Sequence, residues 1–127
     1  MRLTTAFFAN RAEVVDDMLN VQGGFWVSTT VDPDAEFFMC DAVVLCECVP
    51  EDIGREYTLV IDGEGPTGLR LPAISHTFTV SGPSQFMCLP ATALPIERGG
   101  GFHRYRFRID GQHELVDVRL AVRLSFS

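Results

Sequence analysis

An all-β, antiparallel β-sandwich of seven to eight strands is the fold class this sequence predicts, and three observations carry it. Within residues 102–126, two runs alternate at strict period two on either side of Asp110-Gly111. His103, Tyr105, Phe107 and Ile109 alternate with Arg104, Arg106 and Arg108; Val116, Val118, Leu120, Val122, Leu124 and Phe126 alternate with Asp117, Arg119, Ala121, Arg123 and Ser125. Such a pattern around Asp-Gly reads as a β-hairpin with one buried and one solvated face. Shorter period-two runs recur along the rest of the chain between Gly, Pro and Asp turn residues. No long amphipathic helical pattern interrupts them.

Taken in order, residues 1–10 alternate with an apolar bias on both faces, which predicts a first, largely buried strand. Residues 11–17 read as a short helical turn or a loop leading into a strand. The run from Met18 continues to Gly23-Gly24, a glycine pair that suggests a bulge or a close backbone crossing. Asp32-Pro33-Asp34 is a turn, and the longest apolar run follows it. There Phe38, Cys40, Ala42, Val44, Cys46 and Cys48 share one parity and should face the core. Phe37, Met39, Asp41, Val43, Leu45, Glu47 and Val49 share the other, which carries too much apolar surface to stay wet; a loop or a partner should cover part of it.

Residues 55–62 form another strand with Tyr57, Leu59 and Ile61 on one face, and the glycine-rich loop 63–68 reads as a plain turn. Ile74, His76, Phe78 and Val80 alternate with Ala73, Ser75, Thr77 and Thr79; a short strand follows at 85–89. Pro90 and Pro95 bracket an irregular connection, and Gly99-Gly100-Gly101 is a flexible turn before the last hairpin.

At 127 residues the chain should be one domain, 1–127, large enough to bury a core without staples. A net charge of −7 sets its field against phosphate backbones, so nucleic-acid binding is not expected. The first ten residues are too short and broken an apolar run for a secretory signal, and no stretch reaches the roughly 18–20 apolar residues of a membrane span. Cytoplasmic synthesis without a signal peptide, reduced thiols and no membrane insertion are therefore expected. All ten basic residues are arginine, a bias that points to a GC-rich, actinobacterium-like host or one of its phages.

The candidate sites are few. Cys46 and Cys48 lie about 7 Å apart along one strand face, with Cys40 before them and Cys88 far beyond; this spacing suits neither a tetrahedral thiolate site nor a Cys46–Cys48 disulfide, so the four read as small core hydrophobes and no metal is expected. His76 and His103 occupy apolar faces and read as neutral core histidines, whereas His113 should be solvated. The sequence carries no G-x-S-x-G, H-E-x-x-H, C-x-x-C or P-loop motif, and no catalytic residue or cofactor is assigned. The ladder of Arg104, Arg106 and Arg108 is the sharpest surface feature. Turn length would set Asp117 opposite Arg104 or Arg106, leaving at least one arginine over, either as a solvated strand-pairing deterrent or for an acidic partner. With Val43 and Leu45, these arginines are the candidate partner-binding residues.

Two segments carry a resemblance: Met18-Leu19-Asn20-Val21-Gln22-Gly23-Gly24-Phe25-Trp26, and Tyr105-Arg106-Phe107-Arg108-Ile109-Asp110-Gly111, with Gly54-Arg55-Glu56-Tyr57 between them. They resemble those of an uncharacterised family of short bacterial and phage all-β proteins; where that family usually has Gly-Lys, this chain has Asp16-Asp17. The resemblance implies an immunoglobulin-like or C2-like sandwich and brings no activity or site residues. The function expected is a non-catalytic structural or interaction module, a subunit or accessory of a larger assembly such as a phage virion or bacterial surface complex, with a protein partner or a second copy as its target. The alternative is a small-molecule or metal-binding β-sandwich domain.

Overall fold

A computed structural model describes residues 1–126 and leaves Ser127 outside the described residues. The strands are β1 (Arg2–Ala9), β2 (Arg11–Val15), β3 (Met18–Gln22), β4 (Ser28–Val31), β5 (Phe37–Glu47), β6 (Glu56–Glu64), β7 (Ile74–Thr79), β8 (Ser84–Pro95), β9 (Gly101–Ile109) and β10 (Leu115–Leu124), with a single 3₁₀ turn at Pro50–Asp52. The fold is all-β, and no α-helix occurs among the described residues, so none there is long and apolar enough to cross a membrane. One sheet has the order β1-β5-β8, a second β4-β10-β9-β6-β7, and β2-β3 form a separate two-stranded ribbon.

Among the described residues ten strands form, against the seven to eight expected, for identifiable reasons. Residues 11–17, expected as a short helical turn or a loop leading into a strand, instead supply a strand of their own, and 11–22 form a hairpin closed by Asp16 and Asp17, both at positive φ (51° and 61°). Two successive left-handed residues are what a two-residue hairpin loop requires, and Asp tolerates that region better than most side chains. Pro90 and Pro95 do not bracket an irregular connection: β8 runs through both, with Ala91 at φ 48° beside a register shift opposite Asp41. A bulge absorbs the proline that a regular ladder would reject. The expected all-antiparallel pairing also has an exception, because β4 lies parallel to β10, pairing Ser28 with Ala121 through Val31 with Leu124.

The two larger sheets share one hydrophobic core. Leu3, Phe8, Phe38, Ala42, Val44 and Cys46 enter it from one sheet; Leu59, Ile61, Tyr105, Phe107, Ile109, Leu120 and Val122 enter it from the other. Phe8, Phe38 and Tyr105 meet edge to face, with centroids 5.5 to 5.7 Å apart, in the geometry that aromatic quadrupoles favour. Each such buried ring stabilises the fold by roughly 1.5–3 kcal/mol relative to exposure. The Tyr105 hydroxyl donates to the Pro95 carbonyl (2.8 Å), and its ring lies against the bare backbone of Gly63, where a Cβ would come within 2.8 Å of it. Gly63 is therefore a strand residue that makes room for Tyr105, and only the segment beyond Glu64 turns.

The strand parities follow the sequence pattern across β5, β9 and β10, with two departures. Phe126 is 81 % exposed beyond the end of β10, and His76 is exposed on β7. Strand β7 is an edge that pairs with β6 alone, so the apolar parity of His76 points it to the rim and not into the core. His103 does sit in the core. Its Nε2 accepts from the Glu97 N–H (2.9 Å), which leaves the proton on Nδ1 to donate to the Gly101 carbonyl (3.0 Å).

Candidate functional site

The strand face around Val43 is where a partner surface was expected, and the structure corrects this. Val43 is buried at 1 % exposure because the β2–β3 hairpin folds over it, packing Ala12 and Leu19 with Phe7, Ala9, Val43 and Cys88 in a second small core. Asp41 fastens that cover: one carboxylate oxygen accepts from the Ala12 N–H (2.9 Å), the other from the Ala91 N–H at the bulge (3.0 Å). Leu45 is half-buried, opposite Phe86. The chain itself supplies the covering loop.

The arginine ladder lies on the outer face of the five-stranded sheet, and every member has a carboxylate. Arg104 meets Asp117 at 2.7 Å; Arg106 meets Glu64 at 3.0 Å and Asp62 at 3.7 Å; Arg108 meets Asp62 at 3.6 Å and Asp110 at 3.5 Å. The expected leftover is not in the ladder. Sequence reasoning considered only the hairpin partner β10, but β6 flanks β9 on its other side and brings Asp62 and Glu64 into register with Arg106 and Arg104. Three cations thus face four carboxylates, and solvent screens each pair, so the ladder adds little to stability.

On this face, unpaired charge sits one strand over. Arg119 lies directly opposite Arg104 across the β9–β10 ladder, and neither Arg119 nor Arg123 takes part in an ion pair among the described residues. The next residue pair along the same face is Ala121 opposite Phe102, and the Ala121 N–H donates to the Val27 carbonyl (3.0 Å), which brings Val27 alongside. Phe102 is 78 % exposed and Val27 79 %. Together they line an open groove of about 830 Å³.

One wall of that groove is the end of β6 and the turn after it, Glu64, Gly65 and Pro66, with the Pro66 ring against Gly101. The turn is pinned by Glu97, which accepts from the Thr67 N–H (3.1 Å) and from the Thr67 hydroxyl. These bonds hold the Glu97 carboxyl below the usual glutamate range.

A signal for Phe102 was present in the sequence: it shares parity with Arg104, Arg106 and Arg108, so it had to face outward with them. Val27 had none, because its position depends on the parallel docking of β4.

The remaining candidates separate. Cys40 and Cys46 are buried in the core and Cys48 and Cys88 half-buried, all four with free thiols. Burial pushes the Cys40 and Cys46 thiols up to about 12, which leaves them in the unreactive protonated form. Among the described residues no three His, Cys, Asp or Glu side chains converge where a metal could sit. Asp52 is the most heavily bonded acid: it accepts from the Val49 N–H (2.9 Å) and the Tyr57 hydroxyl (2.5 Å) and pairs with the Met1 amine (2.7 Å). Hydrogen bonding to that amine and to Tyr57 holds it far below the usual aspartate range. It is buried at the foot of the 3₁₀ turn and braces that turn. What fold and surface define is an all-β protein with an apolar and cationic groove on one sheet face. Compared with known proteins, the chain matches no family model and no curated protein.

Proposed function

We propose that this chain is a non-catalytic interaction module, a subunit or accessory protein of a larger assembly, built on a β-sandwich of the immunoglobulin-like or C2-like kind. One observation carries the reading: Phe102 and Val27, each more than three-quarters exposed, stand side by side on a sheet whose other face supplies the core. Adjacent exposed apolar side chains rimmed by polar and charged ones are the surface pattern of an interaction site. Two sheets sharing one core support the sandwich, and the repeated period-two strands support its type.

The test is the size of the species at native abundance. Light scattering on the protein purified from its source should show a complex larger than one chain, and Phe102→Ser with Val27→Ser should release it. A single-chain mass for the unaltered protein, with no companion, would end this reading.

A further inference from the structure

We propose that the groove on β9 and β10 is the docking site for an extended acidic segment of a partner protein, one that alternates carboxylates with an apolar side chain. The inference rests on the interaction-module reading and names the chemistry of its partner. Arg119 and Arg104 stand directly opposite one another, an arrangement that costs stability in a sheet unless an anion answers it. Asp117 is taken by Arg104, and Arg119 has no carboxylate partner among the described residues. An anion supplied from outside would answer it.

The spacing defines that anion's neighbours. Along β10 the outward residues are Arg119, Ala121 and Arg123, and Phe102 lies opposite Ala121. An extended segment laid alongside repeats its side chains every two residues, about 7 Å. It would set one carboxylate at Arg119, an apolar side chain over Ala121 against Phe102 and Val27, and a second carboxylate at Arg123. The matching pattern is acidic, any, apolar, any, acidic.

Charge selects against the other occupants. A second copy related by a two-fold axis through this face would bring the same unpaired arginines together, because an isologous contact repeats each patch against itself. A nucleic acid must approach a chain of net charge −7. A short segment with two carboxylates carries far less charge than a phosphate backbone, so it meets the local cations at a smaller penalty, and guanidiniums suit carboxylates in particular.

The probe is a capped, fluorescein-labelled peptide, Glu-Thr-Phe-Thr-Glu, titrated to millimolar concentration against the intact protein by anisotropy, with amide shifts followed by NMR. Binding that weakens with salt, shifts centred on Phe102, Arg119 and Ala121, and a roughly tenfold loss in Arg119→Glu are expected. A peptide with Lys for both Glu should not bind, and Arg11→Glu, on the β2–β3 hairpin over the other sheet, should leave affinity unchanged. Arg119 is exposed, and a thermal melt of the variant confirms that it folds. No binding, equal binding to Arg119→Glu, or shifts elsewhere would overturn the proposal. Self-association abolished by Arg119→Glu without peptide would also overturn it, in favour of a second copy. If the peptide fails while Phe102→Ser with Val27→Ser still releases a native complex, the acidic segment is wrong and the interaction-module reading stands.

Discussion

The outer faces of the two large sheets begin with the same problem and resolve it differently. Both carry apolar side chains on strands whose opposite face is already buried. On the three-stranded sheet the chain spends residues 11–22 on a hairpin that closes over Phe7 and Val43. On the five-stranded sheet nothing among the described residues covers Phe102, and Val27 beside it is equally open. The lesson is that surplus apolar surface in a sequence does not by itself locate a contact site. What matters is whether another segment of the same chain can reach it, and β2–β3 can reach only one of the two faces.

The sharpest way to break the comparison is to place a charge on each face. Val43→Asp should cost several kcal/mol in chemical denaturation, because it strands a carboxylate under the hairpin, while Phe102→Asp should stay within about 1 kcal/mol of the unaltered protein. Equal losses would mean that the two faces do not differ as described. A smaller effect concerns the cover itself. Asp17 holds φ 61°, and Asp17→Gly should raise stability by about 0.5 kcal/mol in the same assay, since glycine follows most favourably in such a turn. A loss there would argue against the two-residue loop.

The smallest effect tests the groove wall. The folded-state pKa of Glu97 is depressed, so its contribution is present above the ordinary glutamate value near about 4.3 and is lost as pH falls below it. The stability gap between the unaltered protein and Glu97→Gln should therefore be open at neutral pH and close in acid. A gap that widened on acidification would contradict the Thr67–Glu97 bonds.

Much of this was legible in the residues. The parity of β5, β9 and β10 could be read from alternation alone, because a strand with one packed face leaves no other arrangement. Cys40 and Cys46 followed as core residues for the same reason, and His103 did too. What could not be read was neighbourhood. His76 obeys the apolar parity of its strand and is still exposed, since parity does not reveal that β7 is an edge. The arginine ladder looked unanswered because Asp62 and Glu64 lie far away in sequence and are brought beside it only by the β6–β9 pairing. Val43 looked open because Asp16-Asp17 did not announce a hairpin. Each miss concerns which strand lies next to which, and that is fixed by long-range packing.

The parallel seat of β4 against β10 has a consequence for how the molecule is made. Strand β4, next to Val27, precedes β10 by most of the described sequence, yet among the described residues its only ladder partner is β10. Until β10 emerges, Ser28–Val31 has no strand to join, and the nascent chain must hold two unpaired edges. Pairings this distant in sequence close slowly, on the millisecond-to-second scale typical of non-local β topologies. Completion of the groove therefore waits on β10, which delays any docking there until that strand is in place.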